Sequence, residues 1–156
     1  MKSTTAEELL NSIDISIQNI NNFSNISDLE KAYLARYLVV FISGIYEEAI
    51  ESIINEKVEE FKSRRISKYV ASSIHFNFQN PKIDRITRLL ESFDDKWGEI
   101  IKQMPDENKV ALGNIVTHKN FVAHGNNFDV TLNSVIKWYD DSRKIIEKID
   151  EIVLSL

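Results

Sequence analysis

Apolar residues recur with a helical period along almost the whole chain. Thr4-x-x-Glu7 and Thr5-x-x-Glu8 are two candidate capping boxes, and Leu9, Leu10, Ile13, Ile17 and Ile20 follow at helical spacing. Ile13, Ile15 and Ile17 also alternate as a strand would. Nothing nearby supplies a partner strand or a hairpin turn, so helix is the reading. Ser27-x-x-Glu30 is a cleaner box, and it opens the longest pattern in the chain. From Ala32 to Phe61 the apolar ladder runs through Tyr33, Tyr37, Leu38, Phe41, Ile42, Ile45, Tyr46, Ala49, Ile50, Ile53, Ile54 and Val58. It is apolar nearly all round at Leu38 to Ile42 and one-sided afterwards, which fits a central helix with neighbours on both sides. Gly44, inside that helix, costs about 1 kcal/mol relative to Ala and is expected to mark a close helix crossing.

Shorter segments follow. One helix is predicted from Arg64 to about Phe76, and another from Asn80-Pro81, as N-cap and first helical residue, through Phe93. Asp94 to Met104 reads as a helix stopped by Pro105. The next runs from near Asp106 to His124, with Gly125 as its stop. Asn126 to Val130 is a turn. Thr131 then caps a last helix whose apolar face is Leu132, Val135, Ile136, Tyr139, Ile145, Ile146, Ile149, Ile152 and Val153. No internal repeat or linker interrupts the pattern. The expectation is an all-α, up-and-down bundle of about six or seven helices, forming one domain over residues 1–156.

Composition narrows the classes. The 156 residues hold no cysteine, which removes disulfides, thiolate zinc sites and Cys nucleophiles. Four Gly and two Pro leave little for the turns of a sandwich or barrel. The longest charge-free apolar run, Tyr37 to Tyr46, is ten residues, against roughly 20 for a membrane span. The first 25 residues carry no signal-peptide pattern, so a cytoplasmic protein with no membrane partner is expected. The net charge of −5 argues against a general nucleic-acid coat but leaves room for a local basic site. Acids are unevenly placed: the 21 residues between Glu107 and Asp129 contain none, where the chain average would put about three. That window holds Lys109, His118, Lys119 and His124.

Asn120 and His124, four residues apart, share a helix face, and Lys119 has the reach to join them. An imidazole that titrates near neutrality, a carboxamide and a fixed cation around one point suit metal-free cleavage of a phosphodiester. The same residues also read as a plain helix ending, because a last-turn His is favoured by the helix dipole and Ala-His-Gly is a natural stop. His118 and His124 are six apart and offer no zinc pair. Arg64, Arg65 and Lys68, with Lys62, form a basic run, and Lys82, Arg85 and Arg88 form a second. Each reads as a solvated face or as a track for an RNA backbone. His75 is expected at the edge of the core, Trp97, Trp138 and Tyr139 in the core or an interface, and Glu56, Glu59 and Glu60 on an exposed acidic face.

Lys119-Asn120-x-x-Ala123-His124-Gly125 resembles the Arg-Asn-x-x-Ala-His-Gly form of the HEPN superfamily motif. Ser43-Gly44-Ile45-Tyr46-Glu47 within the long early helix is similar to the RiboL-PSP-HEPN branch, where an acidic residue follows an aromatic one. Val130-Thr131-Leu132 and the final amphipathic helix extend the resemblance over roughly residues 28–154. It implies a helical homodimer with motif helices facing each other, and a metal-independent ribonuclease without cofactors, of toxin–antitoxin or phage-defence type. RNA is then the substrate, and an antitoxin or neighbouring domain a further partner. His124 matches the motif His, Asn120 the polar residue and Lys119 the Arg position, with Glu47 as the acidic residue of the early helix. His118, Arg64, Arg65 and Lys68 are assigned to substrate binding. Lys in place of Arg keeps the charge but loses the bidentate fork that grips phosphate. A non-catalytic helical dimer that binds RNA or a partner protein is therefore the alternative.

Overall fold

The computed structural model describes residues 1–126 and 129–155. Among them lie seven helices and no strand: α1 (Thr4–Asn21), α2 (Asp28–Glu59), α3 (Arg64–Asn77), α4 (Ile83–Glu91), α5 (Asp95–Lys102), α6 (Asp106–Ala123) and α7 (Leu132–Val153). The Ser27/Glu30 capping box forms as expected: the Ser27 hydroxyl accepts the Glu30 N–H, and the Glu30 carboxylate accepts the Ser27 N–H at 2.7 Å. Thr131 caps α7 by accepting the Ser134 N–H at 3.1 Å. No described helix is long and apolar enough to cross a membrane.

The α2 helix is the axis of the bundle, touching α1, α3, α6 and α7. Leu38, Val39, Ile42, Tyr46, Ala49, Ile50, Ile53 and Ile54 are buried on it. Each Leu or Ile so enclosed contributes about 1.5–3 kcal/mol from apolar surface removed from water. The α4–α5 pair lies to one side, against α6 and α7. Asp150, buried near the end of α7, accepts the backbone N–H groups of Lys2 at 2.6 Å and Ser3 at 2.8 Å. These bonds fix the start of α1 beside the end of α7.

Five expectations are corrected. The cap of α1 is Ser3, whose hydroxyl accepts the Ala6 N–H, so neither Thr4 nor Thr5 forms the box. Gly44 is exposed, and a Cβ there would meet nothing within 4 Å, so it marks no helix crossing within this chain. The fourth helix starts at Ile83 with Lys82 as N-cap, not at Asn80-Pro81. Asn80 instead takes a left-handed conformation, φ 57°, because its polar groups are bonded elsewhere. His75 is not at the core edge: its side chain is 73% exposed, 3.6 Å from the Glu51 carboxylate. Of the expected acidic face, Glu56 is half-buried and accepts from the Ser3 hydroxyl, while Glu59 and Glu60 are exposed.

A polar network runs through the core. The Tyr46 and Ser142 hydroxyls lie 2.8 Å apart, and the Tyr46 and Tyr139 rings stack at 6.4 Å. Tyr139 donates to Asp14 at 2.8 Å, and Arg143 grips both oxygens of the same carboxylate at 3.1 and 3.2 Å. Burial pushes both phenols well above the usual tyrosine value, and the Asp14 bond adds to the effect at Tyr139. A raised folded-state pKa means that stability is full below the unfolded phenol's pKa, about 10, and drains as pH rises beyond it. Each phenol is expected to remove about 1.4 kcal/mol per pH unit in that range. Urea titrations at successive alkaline pH values should show this loss, and Tyr46→Phe should make it about half as steep.

Candidate functional site

The end of α6 is built by a short, specific sequence. Its last residue is Ala123, with His124 as C-cap and Gly125 at φ 68°. The Gly125 N–H donates to Val122 O at 3.3 Å and the Asn126 N–H to Phe121 O at 2.9 Å. This pair of bonds is the Schellman ending, which places a left-handed residue directly after the cap and so favours glycine. The turn holds the His124 backbone while leaving its imidazole exposed, and no described residue bonds to that ring. Asn120, one turn earlier and half-buried, lies about 40° from His124 around the helix, so the two share a side.

Lys119 turns the other way, about 140° around the helix from His124. Its ammonium donates to the Asn80 side-chain oxygen at 2.7 Å and stands 3.8 Å from Glu47 Oε1. The same Glu47 oxygen accepts the Asn80 backbone N–H at 2.9 Å. Asn80 therefore bridges the pair, with one group bonded to the cation and another to the carboxylate. The Lys119 and Glu47 side chains are only 25% and 24% exposed, which strengthens an interaction that would be worth little in open water. One turn along α2, burial holds the Glu51 carboxyl above its ordinary range, opposed by His75.

Asn80 is the residue that sequence reading missed in this cluster. Its signal was the Asn-Pro pair, which suits a helix cap and a left-handed turn alike. Glu47 is the acid paired with Lys119, whose ammonium is bonded to Asn80 and lies beside Glu47 rather than joining Asn120 and His124 as the spacing suggested. The cation is held against Glu47 of α2 and Asn80 of the α3–α4 loop, while helix spacing puts Asn120 about 100° and His124 about 140° from Lys119 around α6.

His118 packs toward α7. Its ring lies 4.9 Å from Trp138 and 5.5 Å from Phe121, and its Nδ1 is 2.8 Å from Asn114 O. It is a packing residue on a different side of α6 from Lys119. Arg64, Arg65 and Lys68 are exposed on the first turns of α3, with Arg65 about 18 Å along that helix from Asn77. They are not part of the Lys119 cluster. The turn expected over Asn126 to Val130 includes Asn127 and Phe128, which lie outside the described residues.

The left-handed backbone at Asn80 gives a direct test. Asn80→Ala and Asn80→Gly both remove the bond to Lys119, but only Ala is strained at φ 57°. In urea denaturation, Asn80→Ala should be less stable than Asn80→Gly by about 1 kcal/mol. Equal stabilities would refute the assigned loop geometry.

A family model described as RiboL-PSP-HEPN matches residues 3–155. No curated protein and no solved structure matches the chain. The matched span takes in all seven helices, Glu47 and the segment from Lys119 to Gly125. The chain belongs to the RiboL-PSP-HEPN family.

Proposed function

We propose that this protein is a metal-independent endoribonuclease of a toxin–antitoxin or phage-defence type, acting as a homodimer. The observation that carries the reading is the end of α6 in a HEPN-family chain. There a rigid turn presents an exposed imidazole, and a half-buried carboxylate fixes a lysine five residues earlier.

In this mechanism the His124 imidazole takes the proton of a ribose 2′-hydroxyl. The 2′-oxygen then forms a bond to phosphorus, and the bond from phosphorus to the 5′-oxygen breaks. That oxygen leaves with a proton from solvent. The products are a 2′,3′-cyclic phosphate and a 5′-hydroxyl. Asn120, on the same side as His124, orients the phosphate or the imidazole. Lys119 stabilises the negative charge that builds on the phosphorane oxygens, and Glu47 and Asn80 hold it in position.

Because the Lys119 ammonium is already engaged by Asn80 and Glu47, about 140° around α6 from His124, a second copy completes the site in this reading. An apolar strip on α2, where Leu29, Tyr33, Tyr37 and Val40 are exposed, supports such an assembly.

A second reading rests on a different observation. The Lys119 ammonium already has Asn80 and Glu47 as partners, which satisfies much of its charge inside the chain. A non-catalytic dimer that binds RNA or a partner protein would need nothing more from it.

Purified protein incubated with a mixed RNA pool and a chelator separates the two. Cleavage with cyclic-phosphate ends is expected, and His124→Ala should reduce its rate by about 10²- to 10⁴-fold. Lys119→Arg, which restores a planar fork, should retain or raise activity, and Lys119→Met should lower it. RNA that is retained but left uncut by the wild type would establish the binding reading instead.

A further inference from the structure

The stretch that carries α3 and α4 differs in charge from the rest of the molecule. From Phe61 to Leu90 the chain carries Lys62, Arg64, Arg65, Lys68, Lys82, Arg85 and Arg88 against a single acid, Asp84. That is 7 − 1 = +6, in a protein whose total is −5, so the remaining residues sum to −5 − 6 = −11. All seven cations are exposed. Asp84 offsets little, since its contact with Arg88 is long, 3.7 Å, and open to solvent.

Between the two helices lies a groove of about 360 Å³, within the roughly 300–1,000 Å³ typical of ligand sites. Its floor is the buried Ile74 and Phe78, and its walls include Tyr69, Arg85, Arg88 and Phe93. Tyr69 is 74% exposed, so its ring face is open to solvent at the edge of the groove. Tyr69, Ser73 and Asn77 repeat every four residues along α3, so one face of that helix offers a ring, a hydroxyl and an amide in line. One wall of the groove is tied to the loop that carries Asn80. Arg85 donates to Gln79 O at 2.7 Å, and the next residue, Asn80, bonds Lys119.

We propose that the α3–α4 groove is a subsite for single-stranded RNA. Tyr69 and Phe93 stack unpaired bases there, the surrounding Arg and Lys side chains hold the phosphates, and the strand continues past Asn80 toward Lys119. Aromatic faces interleaved with cations bind single strands, because every unstacked base offers a ring face and every linkage a negative charge. A base-paired helix hides those faces, so a duplex gains only the charge contribution. The proposal rests on the ribonuclease reading only for the fate of the strand. Binding is tested apart from cleavage.

The experiment is fluorescence anisotropy with a labelled 12-nucleotide single-stranded RNA at several salt concentrations, using His124→Ala protein so that the strand stays intact. In that background Tyr69→Ala should weaken binding about tenfold with an unchanged salt slope, and Tyr69→Phe should restore it. Arg88→Glu should weaken binding by a similar factor and make the salt slope shallower by about one. Lys144→Ala, an exposed cation on α7, should change little. A blunt RNA duplex should bind more weakly than the single strand. Unchanged affinity in both groove variants would overturn the proposal, and so would equal affinity for the duplex. Loss of binding to poly-glutamate with RNA affinity intact would also overturn it, by assigning the groove to an acidic polypeptide. Wild-type protein that binds through the groove and cuts nothing would leave this proposal standing while defeating the ribonuclease reading.

Discussion

The bundle is organised by the need to bury α2. Leu38 and Ile42 lie on one side of that helix and Val39 about 100° round from Leu38, and water is excluded from all of them. A helix that is apolar on more than one side cannot lie on a surface, so it must be surrounded. The surrounding helices α1, α3, α6 and α7 each contribute one apolar face. Their placement brings Glu47 of α2 opposite Lys119 of α6 and leaves the α3–α4 loop to close over the pair. The candidate site is thus a by-product of how the central helix is covered. Its acid, its base-bearing helix and its bridging amide come from three parts of the chain.

The polar groups in the core answer a different requirement. Tyr46, Tyr139, Asp14, Arg143 and Ser142 tie α1, α2 and α7 together with bonds that tolerate little change in angle. Apolar packing alone accepts sliding between helices, whereas a buried hydroxyl without its partner costs about 1–3 kcal/mol. The network therefore fixes the register in which α2 meets α7. That register also sets the height of Glu47 relative to the end of α6.

Much of this was legible from local signals. Ser27 with Glu30, Thr131 and Gly125 each act within a few residues of themselves, so the sequence around them was sufficient to place the ends of α2, α6 and α7. That Asn120 and His124 share a side of α6 was legible for the same reason, since it depends only on helix spacing. The failures share one cause, which is dependence on residues far away along the chain. Asn80 leaves the cap role that Asn-Pro suggests because Glu47 and Lys119, 33 and 39 residues distant, take its polar groups. Lys119 turns from His124 because its partners lie on other elements. Ser3 displaces Thr4 and Thr5 as the cap where Asp150, from the opposite end, accepts its N–H. Gly44 is the exception, an exposed position against which no other described part of the chain packs.

The bonds from Lys2 and Ser3 to Asp150, with the Lys2 ammonium 3.1 Å from Leu154 O, bring the start of α1 beside the end of α7. A few flexible residues joining Leu156 to Met1 would link those two helices without bending either. The backbone could then be reopened at the exposed turn between α2 and α3 to give a circular permutant with the same packing. In such a permutant α2 would be the last helix made instead of the second, so the order of synthesis could be changed while every contact around Glu47, Asn80 and Lys119 was kept.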